Sequence, residues 1–488
     1  MTAGSTAPAR TTNPTRTEHD LLGERAVPAD AYYGIHTLRA TENFAVTGIP
    51  ISAHPDLVTA LACVKQAAAL ANHDLGLLDA ARTDAVVRAC EEIRAGRLHE
   101  HFVVDVLQGG AGTSTNMNAN EVVANRALEL LGHPRGAYRH LHPLDHVNLS
   151  QSTNDAYPTA VRLALRSAVD RLRTALGELA AAFDGKADEF RHLVKIGRTQ
   201  LQEAVPMTLG QEFGACATTT REDADRLGEA AGLLAEINLG GTAVGTGINT
   251  PPGYPEAVRR HLQRITGTPV GTAPDLIEAT QDTGALLQLS GTLRRTAVKL
   301  SKTCNDLRLL SSGPRAGLAE IALPPVQAGS SIMPGKVNPV IPELVNQIAF
   351  TVIGHDLTVT MAAEAGQLQL NAFEPVIAHS LLESADRLTT ACRTLAVRCI
   401  AGITADEDRL RENVERSAGL ATALSPYLGY AAAGALAAEA RATGDGIRDL
   451  VLRRGLLDRE RLDEALGAAA QGPAARTGAA VPDAARPA

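Results

Sequence analysis

Residues 329–339 read Gly-Ser-Ser-Ile-Met-Pro-Gly-Lys-Val-Asn-Pro, placing two hydroxyls, an ammonium and an amide between glycines and prolines. Gly329, Pro334, Gly335 and Pro339 interrupt any helical or strand period, so the segment is expected to be a loop. Donors, one positive charge and a hydroxyl that can serve as nucleophile or base on a single loop are suited to holding a carboxylate while a proton is taken beside it. A phosphate loop is excluded. That motif needs four residues between its glycines and a Ser or Thr after the lysine. Here Ser330–Pro334 separate the glycines and Val337 follows Lys336.

Further polar clusters interrupt the hydrophobic pattern: Gly112-Thr113-Ser114-Thr115-Asn116, Gln151-Ser152-Thr153-Asn154-Asp155 and Gly197-Arg198-Thr199-Gln200. Each alone reads as a helix cap, the ordinary use of hydroxyls and amides beside helix starts. Together with the loop they make a site for small anions from neutral donors and helix N-termini. His140, His142 and His146 beside Asp145 suggest a metal, but Pro143 breaks any common helical face, so a loop without metal is expected. The glycines at 240, 241, 245 and 247 miss the dinucleotide fingerprint, because Thr250 takes the third glycine place, and read as a turn-rich connector.

The elements that must carry these clusters are helical. Aromatics are 3% and Trp is absent, while Ala and Leu abound. Leu165, Val169, Leu172, Leu176, Leu179 and Phe183 form a heptad seam, and Leu289, Leu293, Ala297, Leu300, Cys304 and Leu307 form a second. Pro158 suits the first turn of the helix bearing the first seam. Other long helices are expected over residues 209–237 and 342–368. Seams beyond the needs of one domain imply oligomerisation. The expected division is a tail at 1–17, an N-terminal domain of short helices and loops at 18–153, a central bundle at 154–404, a small helical domain at 405–470 and a tail at 471–488.

A balance of 46 basic and 54 acidic residues, net −8, argues against nucleic acid as a general partner. No apolar run approaches the ~20 residues of a membrane span. The six cysteines lack paired spacing and read as reduced thiols of a cytoplasmic protein.

Residues 329–339 resemble the signature loop of the fumarase/aspartase superfamily residue for residue. The resemblance extends from about Glu18 to Leu466, through Leu21-Leu22-Gly23-Glu24, Tyr32-Tyr33-Gly34-Ile35-His36-Thr37, the three polar clusters and Asn305-Asp306-Leu307-Arg308-Leu309-Leu310. Thr153, Gln200 and the run Pro339-Val340-Ile341-Pro342-Glu343 look like the aspartase branch, since class II fumarases usually carry Ser, His and a different run there. The resemblance implies an all-α, three-domain fold whose long-helix bundle joins a twenty-helix core in a homotetramer. Each active site then draws on three subunits.

The implied reaction is reversible anti elimination of ammonia from L-aspartate to give fumarate, with no cofactor. Ser330 is implied as the base. Thr113, Ser152, Thr153 and Ser331 hold the β-carboxylate, Lys336, Asn338 and Thr199 hold the α-carboxylate, and Asn154 and Gln200 face the amino group. Glu343, one turn into the next helix, is expected to support the loop rather than touch substrate. Gln200 carries a physical hint as well. An amide cannot give and regain a proton near neutral pH. Hydroxide needs such help to leave, whereas ammonia departs unaided from an ammonium. A class II fumarase and a non-catalytic structural relative are the other readings.

Overall fold

A computed structural model describes residues 14–471. A hairpin of β1 (Thr15–Asp20) and β2 (Gly23–Pro28) precedes α1 (Ile35–Asn43), α2 (Pro55–Asp74) and α3 (Ala80–Arg94). Then come α4 (Thr113–Leu130), α5 (Thr153–Glu189) and a second hairpin of β3 (Val194–Thr199) and β4 (Gln202–Thr208). Next are α6 (Leu209–Leu233), β5 (Glu236–Ile237), α7 (Tyr254–Thr266), β6 (Gly271–Thr272), α8 (Leu276–Gln281) and α9 (Gly284–Leu310). After β7 (Ile321–Ala322) run α10 (Val340–Glu364), α11 (Glu374–Arg398) and β8 (Thr404–Ala405). The chain ends in α12 (Glu407–Arg416), α13 (Leu420–Leu428), α14 (Tyr430–Thr443), α15 (Ile447–Arg453) and α16 (Arg459–Gln471). The all-α expectation holds: among the described residues the strands form only two-stranded pairs.

Two compact units emerge, and the division falls within α5, α6, α9, α10 and α11. The first takes the chain to Arg173 with Asp225–Arg295 and Thr351–Arg387. In it, Arg166 on α5 donates to the Ala231 carbonyl of α6 at 2.9 Å, and Asp356 on α10 accepts from Ser290 and Arg294 of α9. The second takes Thr174–Ala224, Thr296–Phe350 and the chain from Leu388. There α11 reaches α5 through Arg393 and Glu178, and Asn346 on α10 bonds Ser301 and Asn305 of α9. Both seams are buried along their whole length, as apolar positions every three to four residues require.

Five expectations are corrected in detail. Pro158 lies in the second turn of α5, not the first. A proline there leaves the carbonyl one turn earlier without its donor, and Asn238 supplies one to the Asn154 carbonyl at 2.9 Å. The helix expected at 209–237 stops at Leu233, because Glu236–Ile237 pair with β6. The helix expected at 342–368 runs instead over Val340–Glu364, with Pro342 tolerated in its first turn. Within residues 18–153, α2 and α4 are long, at 20 and 18 residues. Of the tails drawn at 1–17 and 471–488, most lies outside the described residues, but Thr15–Thr17 pair with Ala26–Pro28 in the first hairpin and Gln471 closes α16.

Candidate active site

In the first unit, the starts of α4 and α5 come together. Gly112 precedes α4 with φ +85°, a conformation that suits glycine, and a Cβ there would run into the Tyr157 ring. Thr113 opens the helix, exposed, with its hydroxyl donating to the Gly110 carbonyl at 2.8 Å. One turn on, Asn116 donates to the Thr153 hydroxyl at 3.1 Å. Ser152 caps α5: its Oγ accepts from Asn154 N, while its own N–H donates to Asp155 at 2.9 Å. The hydroxyl thus caps the second residue of the helix, and Asp155 in the third place reaches back to the cap N–H. Asn154 Nδ2 donates to the Ala243 carbonyl at 2.6 Å, which leaves its carbonyl oxygen to accept from a ligand. Thr113, Ser152, Thr153 and Asn154 thus gather at paired helix N-termini, where backbone donors and the helix dipoles favour a carboxylate.

Behind them lies a network that the sequence reading missed. Lys65 Nζ, fully buried, donates to Asn116 at 2.6 Å, Asn148 at 3.0 Å and Gln151 at 2.9 Å. Burial pulls its ammonium down to about 7, against the pull of Asp155. The cage is made of acceptor oxygens, which an ammonium with three donors satisfies. Asp155, also buried, accepts from Gly240 N and Thr242 N, so the glycine-rich connector serves as its cradle. Burial raises the Asp155 carboxyl, opposed by those backbone bonds. A lysine amid the apolar run Leu61-Ala62-Cys63-Val64 and Ala67-Ala68-Ala69-Leu70 was the available signal.

In the second unit, Thr199 and Gln200 sit on the β3–β4 turn. Thr199 pairs with Gln202, and both central residues are left-handed, Gln200 at φ +55° and Leu201 at φ +62°. That is the mirror-image hairpin turn that normally takes Asn or Gly. Holding an L-residue there costs roughly 1–2 kcal/mol.

Ser330, Lys336, Met333 and Gln327 line an open cleft of about 480 Å³ in the same unit. Ser330 Oγ accepts from Ile332 N at 3.2 Å and Met333 N at 2.9 Å. Gly329 N donates to the Lys336 carbonyl at 2.8 Å, and Asn338 Nδ2 donates to the Gly329 carbonyl at 2.7 Å. These bonds pinch the loop shut at its neck. A Cβ on Gly329 would collide with the Lys336 carbonyl and the Asn338 amide. Ser331 and Lys336 are exposed, and Glu343 lies in the first turn of α10.

The histidines at 142 and 146 are spent on backbone. His142 Nδ1 accepts from Leu144 N and Asp145 N, and His146 Nδ1 accepts from His142 N at 2.8 Å. Among the described residues no group of three or more His, Cys, Asp or Glu side chains is placed to hold a metal ion.

A largely helical chain that presents paired helix N-termini and a serine loop has the equipment of a lyase acting on small carboxylates. The lyase family model matches residues 23–354, and the fumarase C C-terminus model matches residues 420–470. The chain belongs to the fumarase/aspartase superfamily. It is 59% identical to the aspartate ammonia-lyase of Pseudomonas canavaninivorans over 92% of this chain and 95% of that one. Identity to the aspartate ammonia-lyase of Escherichia coli K12 is 53%, over 93% and 95%. Among solved structures, cobalt-bound fumarate lyase:delta crystallin from Brucella melitensis superposes with TM-score 0.91 at 57% identity, covering 93% of this chain and 98% of that one. The class II fumarase of Schistosoma mansoni gives 0.87 at 36%, with the same coverage.

Proposed function

We infer that this chain is an aspartate ammonia-lyase, converting L-aspartate reversibly to fumarate and ammonia by anti elimination. The observation that carries the reading is 53–59% identity to aspartate ammonia-lyases over 92% of the chain. Identity to the class II fumarase structure is 36%. Ser330 takes the Cβ proton as an alkoxide. A serine is a poor base until its anion is stabilised, and the Ile332 and Met333 amides already point at its oxygen. Proton removal puts a second negative charge on the β-carboxylate. Thr113, Ser152, Thr153 and Ser331 absorb that charge, with each donor worth about 3–4 kcal/mol in comparable sites. Lys336, Asn338 and Thr199 hold the α-carboxylate. Gln200 and the free carbonyl oxygen of Asn154 receive the ammonium, and Glu343 supports the loop.

The working form is a homotetramer whose sites each take groups from three subunits. Support comes from α10, which is apolar outside as well as inside: Phe350, Leu357 and Met361 are 61%, 63% and 65% exposed. A helix apolar all round asks for a covering partner. A cytoplasmic location fits the free thiols, of which Cys63, Cys90, Cys304, Cys392 and Cys399 are buried. No helix among the described residues is long and apolar enough to cross a membrane.

The test is fumarate formation, followed by absorbance, from L-aspartate and from L-malate. Fumarate should appear from the amino acid; fumarate from malate alone would mark a fumarase. Shared sites are tested by mixing Ser330→Ala subunits with Thr199→Val subunits. Hybrids should regain part of the activity, and no recovery counts against sharing.

A further inference from the structure

The turn bearing Thr199 and Gln200 is held in a left-handed conformation by something outside the hairpin, and the structure points to one carboxylate. Glu320, immediately before β7, is 0% exposed. Its Oε2 meets Lys195 Nζ at 2.7 Å, its Oε1 meets Arg198 at 2.5 Å, and Asn413 of α12 donates to Oε1 at 3.3 Å. Lys195 also contacts Glu212 at 2.6 Å.

In a regular strand, residues three apart face opposite sides. Here the pairing shifts between Ile196 and Arg198, so that Ala204 and Val205 both lie opposite Gly197. Such a bulge adds local twist and re-aims side chains. The extra residue lies on β4, and Lys195 and Arg198 of β3, on either side of Gly197, reach the same carboxylate, while Ile196 enters the buried cluster of Leu420, Leu424 and Leu462. Ser417 donates to Glu203 at 2.7 Å and fixes the other strand. The hairpin is thus clamped on both strands, and its tip is left with Gln200 and Leu201 exposed.

We propose that Glu320 is a positioning residue for the reaction: by holding Lys195 and Arg198 across the bulge it fixes the turn that presents Thr199 and Gln200 to substrate. The assignment rests on the ammonia-lyase reading, because it concerns groups that meet the α-carboxylate and the amine. Glu320 touches no reacting atom; it acts through Arg198.

Glu320→Gln keeps the shape and removes the charge. Arg198→Lys is the milder companion should the first variant assemble poorly, since it retains a cation and loses the forked guanidinium. Both should raise the KM for L-aspartate and, in the reverse direction, for ammonium: about tenfold for Glu320→Gln and about threefold for Arg198→Lys. kcat per assembled site should change less. In a Gln200→Ala background, Glu320→Gln should add under about twofold, since coupled residues are not additive. Hydrogen exchange at residues 198–203 should quicken in both variants, and this readout needs no substrate. Unchanged KM with mere loss of stability overturns the proposal, as does full additivity with Gln200→Ala or unchanged exchange at the turn. A wild-type enzyme idle on L-aspartate sinks the ammonia-lyase reading instead, while the exchange result still decides whether Glu320 anchors the turn.

Discussion

At the starts of α4 and α5, Asn116, Asn148 and Gln151 share one buried ammonium and Thr153 is tied to Asn116, whereas residues 331–337 are all exposed. The first region is a cradle built into the fold, its side chains tied to one another and to backbone. The second satisfies itself: Ser330 is bonded only to amides of its own loop, and the neck is closed by Gly329 and Asn338. Preorganised donors stabilise developing charge without reorganising at the moment of reaction. A base that must reach a carbon and then release product is better carried on a segment with few buried contacts, which opens at low cost. The proposed base Ser330 and the proposed β-carboxylate groups Thr113, Ser152 and Thr153 thus sit on parts held to different degrees.

The sharpest way to break this contrast is Ser330→Ala. General-base removal typically costs 10²–10⁴-fold, so kcat should fall about 10³-fold while the KM for L-aspartate and the thermal midpoint stay near wild type. Turnover close to wild type would remove the loop from the chemistry. Lys65→Met attacks the other region and should give the opposite signature. The amide oxygens of Asn116 and Gln151 lose their donor, while that of Asn148 keeps Asn120, a loss of about 3 kcal/mol in stability. The thermal midpoint should drop and the KM should rise as Thr153 loosens, with kcat moving less. A stable variant with unchanged KM would show that the cradle holds itself without the ammonium.

pH separates the two units further. Burial pushes the Glu320 carboxyl up, but the Arg198 bond and the Lys195 charge outweigh it and leave the group below the usual carboxylate range. A depressed folded value means stability that is present above the unfolded value near 4.3 and lost as pH falls through the folded one. Glu320→Gln should therefore cost about 3 kcal/mol at neutral pH, and its gap to wild type should close on acidification below about pH 4. Glu374 has the reverse sign. Burial raises it to about 8, with only Arg162 opposing. Its folded form holds the proton, so the group subtracts stability as pH climbs from the ordinary carboxyl range to about 8. Glu374→Gln should raise the thermal midpoint above pH 8 and leave it near wild type at pH 5. Parallel pH curves for the two variants would refute the assigned environments.

Much of this was legible in the residues. The seams fixed α5 and α9 because a heptad of apolar side chains has few other places to go. The Gly and Pro punctuation of residues 329–339 marked the loop. Lys65 and Asp155 escaped because their partners lie far away in sequence, at Asn148 and at Gly240 and Thr242. The apolar run around Lys65 hints at burial but does not name the oxygens that receive its charge. Pro158 misled for a related reason: its place in the second turn depends on a donor from Asn238. The left-handed Gln200 and Leu201 were invisible, because neither residue type signals a mirror-image turn and the clamp that imposes it comes from Glu320.

The smallest effect distinguishes the neck of the signature loop from its tip. Gly329 and Gly335 look alike in the sequence. A Cβ on Gly329 meets the Lys336 carbonyl and the Asn338 amide, both backbone, and would force the neck open. Gly335 has φ +79° but nothing within 4 Å of the added atom, so alanine there bears only left-handed strain, roughly 1–2 kcal/mol. Gly329→Ala should therefore lower kcat/KM by at least about tenfold through misplacement of Ser330 and Asn338. Gly335→Ala should change it less than about threefold, because loop strain is partly relieved by small backbone shifts in a segment that solvent surrounds. Equal losses at both positions would mean that the whole loop, rather than its neck, must hold one conformation for the proton to be taken.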